Sequence, residues 1–156
     1  MTSRKDFTDE EWTRIRRAPI VAGVAISLAD PGGPIEVAKE TAATLRSATL
    51  PPSQEELLAS VALDVQAMAQ HRQNPLGDFK PRGGEQVLEE LKGVNQLVTA
   101  KATPEEAEAF RRWLLAAAQA AADAGKEGGF LGFGAERVSA GERRMLDQVR
   151  AVLGMT

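Results

Sequence analysis

Apolar side chains recur at intervals of three and four along most of this chain, and the breaks between such runs carry proline, glycine or a helix-capping residue. Four stretches have the form Thr/Ser-x-x-Glu: Thr8 to Glu11, Ser53 to Glu56, Thr103 to Glu106 and Ser139 to Glu142. In such a box the hydroxyl accepts from the backbone N–H three residues on and the glutamate reaches back, so each box predicts a helix start. After the first, Trp12, Ile15 and Pro19 share one side of a helix. Pro19 has no N–H to donate and crowds the preceding turn, so it is expected to kink or restart that helix. Ile20 to Ala29 is apolar on nearly every face, as suits a helix buried on most sides. Asp30-Pro31-Gly32-Gly33 ends the run, and Pro34 is placed to be the first residue of the next helix. That helix should reach about Ala48, with Ile35, Ala38, Ala42 and Leu45 as its apolar stripe.

Thr49-Leu50-Pro51-Pro52 reads as a stiff connector. The box at Ser53 predicts a helix to about Arg72, buried through Leu57, Leu58, Val61, Val65 and Met68. Gln73 to Gly84 carries proline and glycine and is expected to be the longest loop and a flexible joint. Val87, Leu88, Leu91, Val94, Leu97 and Val98 then mark a narrow apolar stripe. The box at Thr103, with proline at the favoured first position, opens a helix buried through Phe110, Trp113, Leu114, Ala117 and Ala121. Its many alanines let a neighbouring helix approach closely. Between it and the last helix lies Lys126-Glu127-Gly128-Gly129-Phe130-Leu131-Gly132-Phe133-Gly134. The final helix, opened at Ser139, is lined by Met145, Leu146, Val149, Val152 and Leu153.

Nowhere do β-branched residues alternate with polar ones between turn signals, so the predicted fold is all-α. The expectation is a compact bundle of about six or seven helices forming a single domain over the whole chain. An internal repeat is also suggested. Thr8-x-Glu10-Glu11 with Arg16-Arg17 matches Thr103-x-Glu105-Glu106 with Arg111-Arg112 at constant offset, and Gly32-Gly33 matches Gly128-Gly129 with one residue inserted. Two similar helical hairpins about a pseudo-twofold would explain it, as would the general chemistry of capped helices.

Composition narrows the functional classes. At 156 residues, 43% hydrophobic and 26% charged, the chain is in the globular range. A net charge of -3 with both signs interspersed argues against nucleic acid as a partner. There is no cysteine, which removes thiolate metal sites and thiol nucleophiles. Ala18 to Leu28 is too short to span a bilayer and follows an acidic, capped helix start, unlike a signal peptide. A cytoplasmic location and no transmembrane segment are therefore expected.

The stock of catalytic groups is thin. His71 is the only histidine, expected on the surface near a helix end. A di-iron carboxylate bundle needs Glu-x-x-His on two helices, and Met68 stands three residues before His71. The prominent serines and threonines are helix caps, and Glu10/Glu11, Glu55/Glu56 and Glu105/Glu106 lie in first turns. Neither an enzyme nor a cofactor is implied. The glycine loop lacks the preceding strand and the glycine order of a nucleotide cradle. Two roles stay open for Phe130, Leu131 and Phe133: folding back into the core, or presentation to a partner or ligand. The pairs Arg16-Arg17 and Arg111-Arg112, like Arg143-Arg144, read either as surface ion-pair partners of the glutamates or, if two helices bring them together, as an anion site.

The segment Ala120 to Gly154 resembles the closing part of the TerB-like family, helical bacterial domains associated with tellurite resistance and stress. The resemblance rests on Asp123, Val138, Ser139, Glu142, Leu153 and Gly154. The glycine loop separates the acidic helix end from the Val-Ser cap, where that family keeps them close. The resemblance implies an all-α, stress-associated binding module whose acidic pair would be Asp123 and Glu142; a metal-dependent reading takes Asp30, Asp123, Glu127 and Glu142 as candidate ligands. Function is accordingly expected to be non-catalytic: a protein-binding or self-associating module, with an apolar-ligand or lipid-tail binder between Ala-rich helices, or a metal-binding stress protein, as the alternatives.

Overall fold

The boxes at Thr8, Thr103 and Ser139 form as the sequence predicts, each hydroxyl accepting from its glutamate's N–H at 3.1 Å. A computed structural model describes residues 2–29, 34–125 and 139–155. Among them six α-helices follow a short 3-10 turn, and there is no strand. They are α1 (Asp9–Ala29), α2 (Pro34–Thr49), α3 (Glu56–Gln70), α4 (Gly84–Lys101), α5 (Pro104–Ala124) and α6 (Ala140–Val152). The fold is an all-α compact bundle. Helices α1 and α5, each of 21 residues, pack along one another at its centre. Helix α2 lies against both, α4 and α6 against α1, and α3 closes the side formed by α1, α2 and α5. No described helix is long and apolar enough to cross a membrane.

The core follows the predicted stripes on five helices. Trp12, Ile15, Leu57, Leu58, Val61, Leu91, Val94, Phe110, Trp113, Leu114 and Val149 are all buried in one apolar cluster. Phe110 and Trp113 meet edge-on at 5.9 Å, the arrangement that the ring quadrupoles favour. Ile20 to Ile26 is buried apart from half-buried Val24, as an all-round apolar run requires.

Two expectations are corrected, and a third stretch gains defined contacts. First, Pro19 does not restart the helix: α1 runs unbroken from Asp9 to Ala29. The proline forfeits one backbone bond, but Ala18 to Gly23 are all buried around it, and packing of that run outweighs the loss. Second, the Ser53 box does not form. Helix α3 begins at Glu56 with no side-chain cap, and Ser53 Oγ is buried without a partner. Glu106 of α5 takes its place, accepting from Leu57 N–H at 3.3 Å. The same carboxylate accepts from Thr2 N–H at 3.1 Å, Thr2 Oγ at 2.5 Å and Thr103 N–H at 3.3 Å. Burial alone would raise the Glu106 carboxyl, but the Thr2 and Thr103 donors outweigh it and hold it below the ordinary value.

Third, the stretch after α3 is tied down. Helix α3 closes in a Schellman turn, Gln73 N–H to Met68 O at 2.9 Å and Arg72 N–H to Ala69 O at 3.1 Å, with Arg72 left-handed at φ 54°. Leu76 and Phe79 then pack against the core, and Arg17 lies over the Phe79 ring at 4.9 Å. The expected joint is thus anchored to α1. His71 is exposed at the helix end, where the sequence places it.

Candidate interaction surface

Helix α2 reverses the pattern read from the sequence. Ile35, Ala38 and Ala42, three of the four residues predicted to be buried, are exposed, Ile35 by 73%. Leu45 is half-buried. The buried side is instead Glu40, Ala43, Thr44 and Ala48. The partners explain why. Glu40, 3% exposed, accepts from Ser27 Oγ of α1 at 2.6 Å, and Thr44 Oγ satisfies itself on Glu40 O at 2.8 Å. Trp113 Nε1 of α5 donates to Ser47 O at 2.8 Å. Opposite Thr44 stands Gly23, where a Cβ would collide with the threonine Oγ and Cγ2. Close approach, not apolar area, decides which side of α2 faces in.

The outward side therefore carries apolar groups in solvent. Ile35 and Val37 are exposed on the first turn, and Leu50, just past the last, is 66% exposed. Between α2 and α5 runs a groove of about 310 Å³ with Ala43, Ala120 and Ala124 at its base. Arg46 and Leu50 edge it from α2, and Asp123 from α5. Asp123 accepts from Gln119 of its own helix at 2.9 Å, while Arg46 is exposed with no ion pair among the described residues. Leu63 of α3 is a further exposed apolar residue, and Gln66, one turn on, donates to Thr49 O beside Leu50.

A second feature lies across the molecule, where α1 meets α4. Arg14 Nη2 and Arg17 Nη2 approach opposite oxygens of Glu90 at 2.7 Å and 2.8 Å, each supported by its Nε. Burial would raise the Glu90 carboxyl, but the two guanidinium groups prevail and keep it low. Gly93 makes the arrangement possible, since a Cβ there would collide with Arg14 Nη2. Beside the triad is a cleft of about 510 Å³ lined also by Asp78, Lys80 and Glu89. Positive and negative groups balance there, so it selects no charge.

The predicted site residues separate. Arg16 faces Asp64 at 3.9 Å and Arg17 binds Glu90. Arg111 donates to Asn95 and Thr99 of α4, and Arg112 pairs with Glu108 of its own helix at 2.5 Å. The two arginine pairs thus make no common anion site, and their partners differ although the suspected repeat puts them at equivalent places. Of the metal candidates, Asp123 is exposed, and Glu142 is buried in its capping box with Ser139. Asp30 and Glu127 lie outside the described residues, as do Phe130, Leu131 and Phe133. Among the described residues no group of three or more His, Cys, Asp or Glu could hold a metal ion.

The chain's own signals for the missed groups were its isolated mid-helix glycines. Gly23 and Gly93 each weaken a helix by about 1 kcal/mol relative to alanine, and such glycines point to a close neighbour. Comparison with protein families, curated proteins and solved structures finds no match.

Proposed function

We propose that this chain is a non-catalytic helical binding or assembly module, and that the outer side of α2 with the α2–α5 groove is its docking surface. The observation that carries the reading is the inverted packing of α2, which leaves Ile35, Val37 and Leu50 in solvent, Leu50 at the edge of a groove lined by alanines. Exposed apolar groups along one helix, with a concave strip and charge at its rim, suit a protein-binding patch. Glu11, Glu90 and Glu106 are each shifted downward by the donors that they bind, as structural anions are. A general acid would be shifted the other way.

An apolar small molecule between Ala-rich helices has less in its favour. The void between α1 and α2, lined by Ile20, Gly23, Ser27 and Thr44, is about 30 Å³, room for one water. A stress-associated or metal-dependent role rests on the TerB-like resemblance alone.

The test is a photo-reactive phenylalanine analogue placed at Leu50, at Ile35 and, as control, at Glu89 on the far cleft, in cells expressing the chain. Protein cross-links at the first two positions and none at Glu89 are expected. Equal labelling at all three, or none at Leu50 and Ile35, would end the reading.

A further inference from the structure

The groove's own chemistry names an occupant. We infer that the partner is a second copy of this chain, bound across a twofold axis that crosses the α2–α5 groove; the inference rests on the docking surface proposed above.

The argument starts from the order of residues along the groove. Helices α2 and α5 run in opposite directions there: Gly125, just past α5, lies against Glu40, and Trp113 reaches Ser47 O. Asp123 therefore marks the end nearer Glu40, and Arg46 the end nearer Trp113, with Ala43 and Ala120 between them. A twofold through the middle exchanges the ends. It brings Arg46 of one copy over Asp123 of the other, and the reciprocal pair forms by symmetry. Both groups are exposed, and they are not paired with each other within one chain. A surface with one basic and one acidic end is complementary to itself inverted, which is the condition for an isologous contact. Leu50 beyond Arg46 then covers the partner's end of the groove near Ala124, removing an exposed leucine from water.

The alternatives fit less well. A nucleic acid or anionic surface would meet Asp123 as well as Arg46, and a purely apolar ligand would leave both charges unmatched beside it.

The experiment uses the purified full chain in sedimentation velocity over a concentration series. The wild type is expected to dimerise. Arg46→Asp places acid against acid and Asp123→Arg places base against base, so each variant alone is expected to weaken the dimer by about 100-fold. Mixed in equal amounts, the two variants restore both pairs in the mixed dimer, and affinity should return to within about threefold of wild type. Both positions are exposed, and unchanged helical circular dichroism verifies the fold of each variant. A wild type that stays monomeric at about 100 µM overturns the inference, since a contact of this kind should hold well below that concentration. So does a dimer insensitive to both single changes, or one that mixing does not restore. These failures are distinct from failure of the docking surface itself: cross-links from Leu50 to another protein, with a monomeric purified chain, would keep the surface and discard the second copy.

Discussion

Where α1 meets α4, two arginines close on one glutamate; where α2 meets α1 and α5, hydroxyls, a glutamate and alanines pack together and an arginine stays outside. Both contacts set a mid-helix glycine against a side chain of the other helix, Gly93 facing Arg14 and Gly23 facing Thr44. They differ in what the glycine admits. Gly93 admits a guanidinium, so the α1–α4 contact is electrostatic, its two arginines sharing Glu90 and Arg17 reaching Asp78 as well at 3.4 Å. Gly23 admits a threonine side chain, so the α1–α2 contact is steric, and the charges of α2 apart from Glu40 are left for other uses. A surface that satisfies its own charges has little left to offer a partner. A surface that packs by shape can keep its charges at the rim.

The largest change should come from breaking the electrostatic contact. Glu90→Ala leaves Arg17, 12% exposed, facing Arg14 with only the exposed Asp78 at 3.4 Å as a counter-charge, and about 2 to 3 kcal/mol of stability should be lost in urea denaturation. Arg46→Ala on the other side, compared with wild type at a protein concentration dilute enough for both to be monomeric, should stay within about 0.5 kcal/mol of wild type. A Glu90→Ala loss below about 1 kcal/mol would mean that water screens the triad, and the contrast between the two sides would fall.

Next in size is the steric contact. Gly23→Ala improves helix propensity yet drives a methyl group into Thr44, so a net loss of about 1 to 3 kcal/mol is expected in thermal melts followed by circular dichroism. Thr44→Ala in the same chain should recover part of it. Stabilisation by Gly23→Ala alone would show that α2 can move away freely.

The smallest effect is the pH dependence. Glu90 and Glu106 have folded values below their ordinary 4.5, so the unfolded chain binds more protons in the window beneath that value. Their stabilisation is present in full above the unfolded value and is lost as pH falls through the folded ones. Urea midpoints should therefore drop on acidification below about pH 4.5, and less steeply in Glu90→Gln. An equal slope in the variant would remove the triad as the cause.

The sequence was most readable where side-chain chemistry is local. Three boxes, the caps of α1, α5 and α6, and the apolar stripes of α1, α3, α4, α5 and α6 follow from residues within one or two turns of each other. It misled where a distant group decides. Ser53 looks like a cap, but Glu106, 49 residues from Leu57, supplies the acceptor. Ile35, Ala38 and Ala42 look like a buried stripe, but the fit of Gly23 to Thr44 and of Ser27 to Glu40 turns the other side inward. Periodicity counts apolar area, and α2 is oriented by shape and hydrogen bonding instead. The same misreading hid the proposed surface, because residues assigned to the core are not considered for contact with a partner.

Glu106 also has a consequence in time. Its box with Thr103 spans three residues and can close in an isolated helix, whereas its bonds to Thr2 and Leu57 span 104 and 49 residues. Contacts of such separation must overcome long-loop entropy and come late on the folding path. One carboxylate therefore serves first as the seed of α5 and last as the latch that fastens α3 and the N-terminal segment onto it. The amides of Thr2 and Leu57 are therefore expected to gain protection late when refolding is followed by pulsed hydrogen exchange.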